Sequence, residues 1–174
     1  MATLLAESGW VSLARTLSWI FGWVYFLSWS GSFYAQPWLN IKRKTTAGLT
    51  VDFPLLNVLG FMCYTTSTAA FLFNDEVRAQ YAVRHPSAPR PTVRPNDFAF
   101  ALHALVICII TFTQFWSSLW GFREIRGKRA SRAAVGIFYG SLLGILLVAV
   151  IVIIRNDDPL NPEAWAGIDV VRAS

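Results

Sequence analysis

The run Ser141-Leu142-Leu143-Gly144-Ile145-Leu146-Leu147-Val148-Ala149-Val150-Ile151-Val152-Ile153-Ile154 decides the fold. It closes an uncharged stretch, 133–154, and a helix of about 20 mostly apolar residues crosses a bilayer. Three further stretches have the same character. Residues 17–38, whose helix starts at Val11 or Leu17, are studded with Trp19, Trp23, Tyr25 and Trp29. Residues 53–73 and 98–120 complete the set. The sequence therefore predicts an all-α integral membrane protein of four transmembrane helices, with the lipid bilayer as its first partner.

Composition agrees. Apolar residues make up 55% of the 174, aromatic residues 15% and charged residues 14%, against roughly 25% charged in soluble domains. Eight tryptophans fit the aromatic belts found at membrane–water interfaces. The net charge of +5 is no nucleic-acid signal, because the basic residues sit in short loops between apolar runs. Cys63 and Cys108 both lie inside apolar runs and read as small core residues. No phosphate loop, metal-spaced Cys/His set or catalytic triad is present, so neither an enzyme nor a cofactor is expected. The N-terminal residues carry Glu7 and no early basic residue, unlike a signal peptide.

The loops assign sides. Lys42, Arg43 and Lys44 follow the first helix. Arg123, Arg126, Lys128, Arg129 and Arg132 follow the third, with Glu124 as the acid among them. Basic loops collect on the cytoplasmic side, which puts both chain ends in the lumen or exterior. The connection 74–96 carries Arg78, Arg84, Arg90 and Arg94 beside Asp75 and Glu76. Its prolines Pro86, Pro89, Pro91 and Pro95 predict an extended segment. After Ile154 the chain turns polar through Arg155-Asn156-Asp157-Asp158-Pro159. Ala164 to Val171 then reads as the opening of another interfacial helix.

Polar groups inside spans are costly and often functional. Gln36-Pro37 lies near the end of the first helix. Pro37 removes a backbone donor and clashes with the Phe33 carbonyl, so the pair is either a helix stop or a hinge whose glutamine bonds the freed carbonyls. Asp52 before Phe53-Pro54 reads as an N-cap. Asn57 sits about one turn inside the second helix and must find a partner helix or a substrate. An amide suits an amino acid because it both donates and accepts. Asp97 opens the third helix, either as an N-cap or as a proton site. His103 lies about 120° around the helix from it and reads as a buried, hydrogen-bonded core residue. Gln114 and Thr65-Thr66-Ser67-Thr68 read as helix-packing groups.

Gly22-Trp23-Val24-Tyr25, Ser28-Trp29-Ser30, Ser32-Phe33-Tyr34-Ala35-Gln36, Arg43-Lys44, Gly48-Leu49-Thr50-Val51-Asp52-Phe53, Leu56-Asn57, Gly60-Phe61 and Tyr64 together resemble the first PQ-loop repeat of the cystinosin family. Asn96-Asp97-Phe98-Ala99-Phe100-Ala101-Leu102-His103-Ala104 continues the match. The resemblance implies a lysosomal or vacuolar cystine/proton symporter with a lumenal N-terminus. It implies two three-helix bundles joined by a linker helix in a seven-helix fold. Asn57 would then bind L-cystine, Asp97 would bind the proton, and Gln36 and Pro37 would form the hinge. The family's Pro-Gln stands here as Ala35-Gln36, with the proline displaced to Pro37.

On this reading residues 1–120 form one PQ-loop bundle. Residues 121–154 hold a basic cytoplasmic loop and the linker helix, and residues 155–174 form a polar tail. The second bundle is expected to be missing, leaving a truncated form that works with a second copy or a full-length partner. The alternatives are a PQ-loop transporter of another amino acid or a sugar, and a non-transporting truncated subunit.

Overall fold

The computed structural model describes residues 2–123, 128–155, 161 and 166–173. Seven helices follow in order: α1 (Ala2–Arg43), α2 (Asp52–Phe73), α3 (Asp75–Arg84), α4 (Pro95–Thr113), α5 (Ser117–Trp120), α6 (Arg132–Arg155) and α7 (Gly167–Ala173). Among the described residues α2, α4 and α6 are long and apolar enough to cross a bilayer. The sequence reading counted four such spans. The first falls short because Ser28, Ser30, Ser32 and its tryptophans dilute its apolarity.

α1 also differs from its expected limits. It runs through Pro37 to Arg43, so the proline is no stop. The helix ends instead where Lys44 adopts a left-handed conformation with φ 49°. There the Thr45 N–H reaches the Asn40 carbonyl and the Lys44 N–H reaches that of Ile41, the paired bonds of a Schellman motif. The third predicted span, 98–120, is also revised. α4 stops at Thr113, and the chain turns through Gln114-Phe115-Trp116 before the single turn of α5.

α4 lies between α1 and α2 and packs against both. Its buried residues Phe100, Ala104, Ile107, Cys108 and Thr111 repeat at three- and four-residue spacing. Ala101 and Ala104 are fully buried, since small side chains let helix backbones approach. α6 packs on α2 and buries Ala134 alone among its residues, as a helix facing lipid would.

The connections 44–51 and 114–131 meet at one end of the bundle, called here the basic end. The Arg123 N–H donates to the Lys44 carbonyl at 2.9 Å. Lys128 Nζ donates to the carbonyls of Thr46 and Leu49 at 2.5 and 2.6 Å. Asp52 does not cap α2 as expected. Val51 holds the cap position without a side-chain bond, and Asp52 instead accepts the Ser131 N–H at 2.6 Å, in front of α6. Arg126 and Glu124 lie outside the described residues.

At the opposite end, part of the segment read as extended is helical. Asn74 Oδ1 accepts the Val77 N–H at 3.1 Å and caps α3. The prolines Pro86, Pro89 and Pro91 lie beyond it in non-helical chain. α7 folds onto α3: Val77, Ala166 and Ile168 form a small buried core with Phe71, Tyr81 and Val171 against it. Gln80 Oε1 accepts the Ile168 N–H at 2.8 Å. Arg84 holds Asp169 through two bonds of 2.6 and 3.0 Å. Residues 156–160 and Ala164-Trp165 of the predicted tail lie outside the described residues.

Candidate functional site

α1, α2 and α4 enclose a cavity of about 400 Å³ near the basic end, within the range of small-molecule sites. Gln36 and Asn57 both line it, with Trp29, Ser32, Phe33, Phe53, Pro54, Phe61, Cys108 and Thr111. Two residues picked from the sequence on different helices thus share one space. Both are half-buried. Asn57 Nδ2 donates to the Phe53 carbonyl one turn back at 2.8 Å. Cys108 is buried and Cys63 half-buried, and both are free thiols.

Pro37 is buried behind this cavity. Its neighbours form a relay of amides that the sequence did not reveal. Gln36 Nε2 donates to Asn40 Oδ1 at 2.9 Å, Asn40 Nδ2 to Gln114 Oε1 at 2.7 Å, and Gln114 Nε2 to the Pro37 carbonyl at 3.1 Å. Asn40 is 2% exposed and Gln114 1%. The relay ties the proline-bearing stretch of α1 to the end of α4. Asn40 was not singled out from the sequence. A polar residue four after Gln36, hence on the same helix face, was the available signal. Gln114 fits its reading as a packing group. Thr65, Thr66 and Thr68 bond carbonyls of α2 itself, not another helix.

Asp97 is not part of the cavity. It lies at the other end of α4, about 16 Å along the axis from Cys108 at 1.5 Å per residue. There it is half-buried and accepts the Arg94 N–H at 2.7 Å. That bond is the side-chain half of a capping box, one turn inside the N-cap position. Between Asp97 and the cavity stands an aromatic cluster centred on Phe100, with ring contacts to Tyr25, Phe26, Phe33 and Phe61 at 6.0–6.4 Å. His103 is half-buried, and its Nε2 pairs with Tyr34 Oη at 2.7 Å.

Residues 17–77 match the PQ loop repeat family model. This stretch is similar to a PQ-loop repeat. Cystinosin of Drosophila melanogaster is 40% identical over 133 residues, 76% of this chain and 31% of that protein. A cystinosin homolog of Caenorhabditis elegans is 44% identical over 95 residues, 55% of this chain and 23% of that protein. A protein of Saccharomyces cerevisiae named cystine transporter is 27% identical over 95 residues, 55% of this chain and 35% of that protein. The chain spans less than half the length of the curated relatives it matches. The matched stretch 17–77 includes the α1 and α2 residues that line the cavity.

Proposed function

We propose that this chain supplies the first bundle of a transporter that exports L-cystine, together with protons, from the lysosome or vacuole to the cytosol. The observation that carries the proposal is the meeting of Gln36 and Asn57 in one uncharged cavity, on a chain similar to cystinosins. The basic end faces the cytosol and the chain ends face the lumen, following the rule that basic loops stay inside. α1 completes the membrane bundle by packing along α4. Asp97, at the lumenal end, takes the proton. Cystine occupies the cavity against Asn57, and Gln36 with Pro37 forms the hinge. The facing wall comes from a second bundle, from a longer chain or a second copy. The protein is a transporter rather than an enzyme.

The test is uptake of radiolabelled L-cystine into vesicles under an imposed pH gradient, with this chain alone and with any longer form that contains it. Gradient-driven uptake is expected in a form with two bundles. Asn57→Ala should lower it about tenfold or more, the effect of losing one hydrogen bond to a charged group. Asp97→Asn should abolish the response to the gradient. Absence of cystine uptake in every form, or an unchanged gradient response in Asp97→Asn, overturns the proposal.

A further inference from the structure

The direction of the amide relay is set by a backbone group. The Pro37 carbonyl can only accept, so the Gln114 atom that meets it at 3.1 Å is the Nε2 amide. Gln114 Oε1 is thereby the acceptor for Asn40 Nδ2 at 2.7 Å. Asn40 Oδ1 then faces Gln36 and accepts its Nε2 at 2.9 Å. Amide oxygens and nitrogens have nearly the same shape, and their partners decide which is which. Here one carbonyl orients three side chains. Turning the Gln36 amide over would set its oxygen against Asn40 Oδ1, so its nitrogen stays on the relay. Its oxygen remains for the cavity that Gln36 lines.

The other polar side chains of the cavity repeat this pattern. Asn57 Nδ2 spends one N–H on the Phe53 carbonyl at 2.8 Å, leaving its second N–H and both lone pairs of Oδ1. The Ser32 hydroxyl donates to the Trp29 carbonyl at 2.7 Å and the Thr111 hydroxyl to that of Ile107 at 2.8 Å. Each keeps lone pairs and has its hydroxyl hydrogen engaged. No Asp, Glu, Lys, Arg or His is among the lining residues, and four aromatic rings are: Trp29, Phe33, Phe53 and Phe61. A cavity with more neutral acceptors than donors, walled by aromatic faces, complements a cation rich in donors, through hydrogen bonds and ring attraction together. To a carboxylate it offers only the second N–H of the Gln36 and Asn57 amides and no cationic group.

We propose that this cavity is an ammonium subsite, and that Asn40 and Gln114 are positioning residues that make it one by fixing which end of the Gln36 amide it presents. The inference rests on the reading of the cavity as the place where substrate binds. It adds which half of an amino acid this bundle receives.

Two small disulfides separate the chemistries. Cystamine carries two ammonium groups and no carboxylate; 3,3′-dithiodipropionate carries two carboxylates and no ammonium. Binding of each to the whole chain in lipid nanodiscs is measured by calorimetry. The wild-type protein should bind cystamine about tenfold or more tighter than dithiodipropionate. Asn40→Leu releases Gln36 to rotate and should reduce that ratio about tenfold, the size of one hydrogen bond to a charged group. Gln114→Leu should do the same and serves where Asn40→Leu does not fold. A purely structural role would weaken both ligands together and leave the ratio unchanged, which overturns the positioning role. Equal or reversed preference in the wild type, or no binding of cystamine, overturns the subsite without any variant. Cystamine binding without cystine uptake would remove cystine as the cargo and leave the subsite standing. Cystine uptake with preferred binding of dithiodipropionate would do the reverse.

Discussion

The two ends of α4 are held in different ways. At the basic end Gln114 is 1% exposed and bonded across to α1 twice, through groups that carry no charge. At the other end Asp97 is half-buried and its carboxylate accepts an N–H from its own helix terminus. Nearby, α7 is tied to α3 by the charged pair Arg84–Asp169. Neutral amides tie α4 to α1 at one end, whereas a carboxylate caps it at the other. That division fits the proposed roles, in which Asp97 changes protonation state while the helix frame around the cavity does not.

The largest stability effect is therefore expected at the basic end. Gln114→Leu strands the Asn40 amide in a buried setting and removes a donor from the Pro37 carbonyl. The loss should be on the order of 2 kcal/mol, between the cost of orphaned buried groups and the smaller values typical of bonds between membrane helices. Adding Asn40→Leu removes the stranded partner, so the double variant should lose clearly less than the two single losses added together. Equilibrium unfolding of the three variants in mixed micelles measures this. Additive losses would break the view that the amides act as one unit.

Asp97→Asn should change stability far less, by about 0.5 kcal/mol or below, because an asparagine oxygen can still accept the Arg94 N–H. The same unfolding measurement checks it. A loss comparable to that of Gln114→Leu would mean that Asp97 belongs to the frame, and the contrast between the two ends would fail.

Much of the membrane architecture was legible because long apolar runs leave few alternatives. The runs at 53–73 and 133–154 lie within one residue of α2 and α6 at either end. Where the reading failed, a local signal met a partner distant in sequence. Pro37 marks a helix end only if its neighbours supply nothing. α1 nevertheless runs on to Arg43, and Gln114, 77 positions away, ties the proline's own carbonyl to the end of α4. Asp52 looked like a cap for the helix it begins, but its acceptor serves Ser131, 79 positions away. Prolines coloured the whole segment 74–96, although they cluster after Arg84 and leave Asn74 free to start α3. For the site, Asn57 and Gln36 were visible as polar residues in apolar runs. Asn40 was masked by the basic residues Lys42, Arg43 and Lys44 that follow it. It looked like loop chemistry, and the end of α1 could not be placed without tertiary contacts.

The smallest effect concerns Asp169, and pH exposes it. Burial alone would raise this carboxyl. The Arg84 bond, the Ala166 N–H and the nearby charges of Arg84 and Arg172 outweigh burial and hold it below its ordinary value of 3.8. A carboxyl whose folded value lies below the unfolded one adds stability that is complete above the unfolded value. That stability is lost as pH falls through the folded value. Docking of α7 on α3 should therefore be constant from neutral pH down to about 5 and weaken only below about 4. An organelle of moderate acidity would leave the contact intact. Hydrogen exchange of the α7 amides across this range, read against α2 as internal reference, gives the measurement. Asp169→Asn should flatten the acid response and raise α7 exchange at neutral pH, because it removes the ion pair. Should α7 protection already fall between pH 7 and 5 in the wild type, another titrating group would control the contact.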